Sequence, residues 1–70
     1  MKISARNTLK GTITRITPGM VNAEVVITLP GGQEVVAVIT LASADALGLR
    51  VGQEAYAVIK ASDVMVGVDH

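Results

Sequence analysis

From Val35 to Ile39 the chain runs Val35, Val36, Ala37, Val38, Ile39, without a polar residue. Residues of this type favour extended backbone, and along a strand successive side chains point to opposite faces. Both faces of such a strand are apolar, so both must leave water. The pattern returns near the C-terminus, where Val64, Val66 and Val68 alternate with Met65 and Gly67. A sheet with one wet face has no need of such strands, whereas a sheet covered on both sides does. One face can fill a core within the chain. The other is best explained as contact between subunits.

Elsewhere the dominant period is also two. Ala23, Val25, Ile27 and Leu29 share one face, and Glu24, Val26 and Thr28 the other. Pro30-Gly31-Gly32 then breaks the chain and Gln33 to Thr40 resumes it, which is a hairpin pattern. Leu9 to Thr17 is rich in threonine and isoleucine and ends at Pro18-Gly19, a turn signal. Glu54 to Lys60 and Val64 to Val68 make up a predicted set of five strands, enough for a small closed or partly open barrel. One segment breaks the period. Thr40 to Leu49 has alanine and leucine at helical spacing, a threonine suited to N-cap and Gly48 suited to C′. It predicts a short helix from about Leu41 to Leu47, so the class is all-β with one short helix.

At 70 residues the chain is one domain, residues 1–70. So short a chain buries only about 60% of the surface its unfolded form exposes, and the absence of cysteine removes disulfides as support. Yet 50% of the residues are hydrophobic, more than one such core can hide. A homo-oligomer is the expected remedy.

Charge excludes several functions. Six basic and six acidic residues give a formal net charge of zero, which argues against generic polyanion binding. Met1 to Asn7 has no apolar stretch of the kind a signal peptide carries, and no apolar run approaches the ~20 residues of a membrane helix. A soluble, cytoplasmic protein is expected. Enzyme motifs are absent: there is no GxSxG, HExxH, phosphate-binding lysine loop or GxGxxG. The one histidine, His70, is the last residue and fits a disordered tail; one histidine and no cysteine leave no metal site. Glu24, Glu34 and Glu54 suit solvent-facing positions without an obvious partner, and Asp45 falls in the short helix. No catalysis is expected.

The polar residues that stand out are donors. Ser4 and Arg6 are two apart, so an extended chain points both to one side. Lys60-Ala61-Ser62 closes the apolar run Ala55 to Ile59 and puts a cation at a strand end. Thr40 and Ser43 bring hydroxyls to a helix N-terminus with its free amides. Guanidinium, ammonium, hydroxyls and amides together suit a small tetrahedral oxyanion. The same residues also suit a plain helix cap and solvated surface cations.

Beyond these residue types, the chain resembles a known family. Ser4-Ala5-Arg6-Asn7-x-Leu9-x-Gly11, then Gly19-x-Val21-Asn22-Ala23-Glu24-Val25, then Ala42-Ser43-Ala44 with Leu47-Gly48-Leu49, and the ending Ala57-Val58-Ile59-Lys60-Ala61-Ser62-Asp63-Val64 are similar to the Mop-type molybdate-binding proteins. Their module is also known as the TOBE domain, and the likeness covers nearly the whole chain. The resemblance implies an OB-like five-stranded barrel that assembles as a hexamer, a trimer of dimers. Molybdate or tungstate would bind between subunits, with no organic cofactor. Carried over by position, the principal site would use Ser4, Arg6 and Lys60, with Ala61 and Ser62 adjacent, and Thr40 and Ser43 from a neighbouring subunit. A second site on the threefold axis would use the loop Gly19, Met20, Val21 and Asn22, through backbone amides and the Asn22 side chain.

Storage of the oxyanion is the expected role, because a chain of this length has no room for a DNA-reading or nucleotide-hydrolysing domain. The alternative is an OB-type nucleic-acid binder, which combines a basic groove with aromatic stacking platforms. Here Tyr56 is the sole aromatic, and its neighbours Ala55 and Ala57 face away from it, so packing in a core or interface is expected of it. A purely structural oligomerisation module is the third reading.

Overall fold

The structure, a computed structural model, describes residues 1–69; the expectation of a disordered His70 lies outside the described residues. Four strands and one helix follow in chain order: β1 (Asn7–Pro18), β2 (Asn22–Thr28), β3 (Glu34–Thr40), α1 (Leu41–Leu47) and β4 (Glu54–Ile59), with a final 3₁₀ turn at Ala61–Asp63. They form one antiparallel sheet in the order β3-β2-β1-β4. The long β1 is the hinge of this arrangement. Its first half pairs with β4, from Asn7 opposite Ile59 to Thr12 opposite Glu54, and its second half pairs with β2 as far as Pro18 opposite Ala23.

What curls the sheet is a bulge. Ile13 lies opposite Ile27 and Arg15 opposite the next residue, Val26, so Thr14 is the extra residue. A bulge bends its strand and increases the local twist. It also explains a spacing of three: Ile13 is buried and Ile16 packs against the same core, while Thr14 and Arg15 stay exposed. The turn before β4 is pinned at this point, since the Gly52 amide donates to the Ile13 carbonyl at 2.8 Å and the Ile13 amide to the Gln53 carbonyl at 2.9 Å. Gly11 is required nearby. A Cβ there would lie 2.5 Å from the Thr28 carbonyl oxygen and 2.8 Å from a methyl of Ile27, closer than packed atoms approach.

The core is small and built from alternate residues. Ile13, Val25, Ile27 and Ala57 form it, with Ile16, Leu29, Val35, Ile39, Leu49 and Ala55 packed at its edge. Along β3 the inward residues are half-buried, whereas Val36 and Val38 remain 56% and 64% exposed. The doubly apolar strand therefore has only one covered face within the chain.

The all-β class, the OB-like curl and the helix at Leu41–Leu47 agree with the expectations from sequence. The fifth strand does not form in the single chain. Val64 to Val68 has no regular structure and is exposed throughout, because no strand of its own chain lies beside it to supply backbone partners. The curled sheet stays open between its edges β3 and β4.

Candidate functional site

Two groups of polar residues sit at opposite ends of β1. The first is built where β1 begins and β4 ends. Asn7 lies opposite Ile59 in the ladder, and its side-chain amide donates to the Ile59 carbonyl at 3.2 Å. Arg6 immediately precedes one strand end and Lys60 immediately follows the other, so antiparallel pairing brings together two cations far apart in sequence. Both are exposed, and neither has a carboxylate partner among the described residues. Backbone positions this close allow both side chains to reach one anion, whose charge would offset their mutual repulsion. Asn7 is the residue that sequence reasoning missed as a contributor. Its signal was its position directly after the cation, as the first residue of β1.

The backbone around these cations differs from expectation in one respect. Ser4 and Arg6 lie in bends before β1 begins at Asn7, not in an extended run. The rule that residues two apart share a side therefore does not apply to them; both are exposed. On the other side, Lys60 is the N-cap of the 3₁₀ turn and has no side-chain cap bond. Its carbonyl accepts from the Asp63 amide at 2.9 Å, and the amides of Ala61 and Ser62 have no backbone acceptor among the described residues. Free amides, a serine hydroxyl and two cations thus gather at this end.

A third cation on β1 is already compensated. Lys10 Nζ lies 3.2 Å from Glu54 Oε1, which corrects the expectation that Glu54 has no partner. The cause is cross-strand: Lys10 faces Tyr56 in the ladder and Glu54 lies diagonally two residues away. The hydrogen bond to Glu54, its charge and that of Tyr56 raise the Lys10 pKa above 10.5.

The second group sits where β3 ends. Thr40 caps α1: its hydroxyl oxygen accepts from the Ser43 amide at 3.0 Å and donates to Ser43 Oγ at 2.8 Å. Thr40 is thereby fully engaged, while Ser43 keeps a hydroxyl proton to give. The Gly19–Asn22 loop lies at the same end, since Asn22 pairs with Thr40 and the Leu41 amide donates to the Val21 carbonyl at 2.9 Å. The Gly19 amide is spent on the Asn22 carbonyl at 2.7 Å. Met20 and Val21 project into solvent.

Register keeps these groups apart in one chain. Thr40 aligns through Asn22 with the Pro18 end of β1, and Lys60 with the Asn7 end. Twelve residues of strand at ~3.3 Å each separate the two ends along β1.

Among the described residues no group of three or more His, Asp or Glu side chains is placed to hold a metal ion. Tyr56 is 48% exposed on β4, so within one chain it is not a core residue, and there is no second aromatic to extend a stacking surface. No helix among the described residues is long and apolar enough to cross a membrane.

Comparison with known proteins agrees with this architecture. The TOBE domain model matches residues 3–66. The probable molybdenum-pterin-binding protein of Haemophilus influenzae is 54% identical over 69 residues, covering 99% of this chain and all of that one. Among solved structures, a molybdate-binding protein from Sporomusa ovata superposes with a TM-score of 0.90 at 40% identity, covering 97% of this chain and all of that one. The cytoplasmic molybdate-binding protein ModG, crystallised with molybdate bound, matches with a TM-score of 0.82 at 56% identity, covering 87% of this chain and 43% of ModG. These relatives are binding proteins rather than enzymes. Fold, motifs and near-complete coverage together make this chain a member of the TOBE-domain family, of the small Mop type.

Proposed function

We propose that residues 1–70 form one oxyanion-binding domain that takes up molybdate or tungstate at sites shared between the subunits of a homo-oligomer. The expected assembly is a hexamer built as a trimer of dimers, holding the anion as a cytoplasmic reserve without catalysis, organic cofactor, nucleic acid or membrane. One observation carries the reading: Arg6 and Lys60 are brought together by the Asn7–Ile59 pairing and left without carboxylates among the described residues. A dianion there is neutralised by both cations and saturated by Ser4, Ser62 and the amides of Ala61 and Ser62. That ModG binds molybdate, at 56% identity, supports the choice of anion.

The remaining donors come from elsewhere. Thr40 and Ser43 lie at the far end of β1 in their own chain, so a neighbouring subunit supplies them. Their mutual hydrogen bonds leave the Ser43 hydroxyl as the stronger contributor. For the second site, the Gly19–Asn22 loop has already used the Gly19 amide, which leaves Met20, Val21 and the Asn22 side chain. Sulfate is also a tetrahedral dianion with the same acceptors, so selection against it rests on cavity size.

Native mass spectrometry with equal molybdate and sulfate tests this. A hexamer that gains several molybdates and ignores sulfate is the expected result. A monomer, or an assembly indifferent to both anions, overturns it.

A further inference from the structure

The chain has no net charge, yet its charges are not evenly spread. Of its six lysines and arginines, Arg6 and Lys60 flank the paired strand ends Asn7 and Ile59. Lys10 is held by Glu54 at 3.2 Å. Arg15 lies past the bulge at Thr14, and Arg50 lies in the turn before β4, away from those strand ends. That leaves Lys2. It is exposed, belongs to no strand or helix, and has no carboxylate partner among the described residues.

The acids near the candidate site repel an incoming dianion. Asp63 sits in the same 3₁₀ turn as Ser62. Under the proposed function, the neighbouring subunit that supplies Thr40 and Ser43 also brings Asp45 in the same helix and Glu24 on β2, which pairs with β3. All three acids are exposed, and none forms an ion pair among the described residues. Arg6 and Lys60 alone therefore leave the mouth of the site without a net positive field. Lys2 lies four residues before Arg6, which puts their Cα atoms at most ~14 Å apart. That is well inside the ~30 Å over which charges act in about 0.01 M salt. No element fixes the Lys2 amine against a bound anion, so its effect is through space.

We infer that Lys2 is an electrostatic guide, which draws the oxyanion toward Arg6 and Lys60 and takes no part in holding it. A charge in this role raises the association rate, loses its effect as ionic strength rises, and leaves dissociation unchanged. It also separates capture from selection. Sulfate is drawn in by the same field as molybdate and is rejected only afterwards, by fit. The inference rests on the proposed function, because it needs an anion at Arg6 and Lys60.

Stopped-flow mixing of the full chain with molybdate tests it, in about 0.01 M and about 1 M salt, where charges act over ~30 Å and ~3 Å. Lys2→Glu should slow association about threefold in the dilute salt, from the Coulomb energy of the reversed charge at that distance. In the concentrated salt the variant and wild type should associate alike, and their dissociation rates should match in both. Arg50→Glu makes the same change in net charge and should associate at the wild-type rate. Equal slowing in both variants, or none in Lys2→Glu, overturns the guide. So does faster dissociation of Lys2→Glu in concentrated salt, which would make Lys2 a ligand of the bound anion. Titration calorimetry on the wild type reads the anion separately. No heat with molybdate refutes the proposed function and the guide with it, whereas heat with a salt-independent association rate refutes the guide alone.

Discussion

The Asn7 side-chain amide donates to the carbonyl of Ile59, a residue 52 positions away, and this bond closes the ladder at the point where Arg6 and Lys60 meet. The strand ends are held there by side chain and backbone together, so the backbone positions of Arg6 and Lys60 are fixed beside each other.

Arg6→Ala and Lys60→Ala should each weaken molybdate binding by about 1.5–3 kcal/mol, the scale of hydrogen bonds to charged groups. Titration calorimetry checks this, with circular dichroism to confirm that the exposed substitutions leave the fold intact. Wild-type affinity in both variants would place the anion elsewhere.

Asn7→Ala separates positioning from contact. It should cost about 0.5–1.5 kcal/mol of stability through the lost hydrogen bond and reduce molybdate affinity while both cations remain. Urea unfolding and calorimetry on the same samples read the two effects.

Thr40→Ala removes a helix cap whose donor and acceptor are both in use. A loss of about 1 kcal/mol is expected in urea unfolding. Ser43→Ala keeps the Thr40 acceptor for the Ser43 amide, so its stability loss should be smaller. If Ser43 contributes to a neighbouring subunit's site, its substitution lowers molybdate affinity more than it lowers stability.

Gly11→Ala forces a methyl group against the Thr28 carbonyl and Ile27. Overpacking of this kind costs about 1–3 kcal/mol, measurable as a lower urea midpoint at unchanged slope.

The Lys10–Glu54 pair predicts a pH dependence. Because the Lys10 pKa is raised above 10.5 in the fold, its contribution is fully present below the ordinary lysine value and lost as pH rises through the raised one. The difference in melting temperature between wild type and Lys10→Ala should stay constant from neutral pH to about pH 10 and shrink above it. A difference that instead grew above pH 10 would contradict the pairing.

Much of this was legible from local pattern. Thr40 and Gly48 bracket α1 because caps are local chemistry, and Gly48 does adopt the left-handed conformation that ends a helix. The four strands follow their apolar alternation to within two residues. Arg6 and Lys60 were legible as residue types, but their meeting depends on the β1–β4 register, which no short window contains. The same limit hid the Lys10–Glu54 pair. Val64 to Val68 shows a related failure. Alternating valines declare a need for extended backbone and apolar cover, yet they do not say whether the same chain will provide it.

The bulge at Thr14 makes β1 sensitive to length as well as to residue type. The two halves of the strand are each in phase with the core but out of phase with each other by one position. Deleting Thr14 would leave Ile13, Arg15 and Ile16 opposite Ile27, Val26 and Val25 in plain alternation, so the faces would be kept but the bend that curls the sheet would be lost. Loop tips such as Gly31-Gly32 supply no such bend to the sheet. Changes of chain length should therefore be tolerated at that hairpin and rejected at Thr14, even though both positions are exposed to solvent.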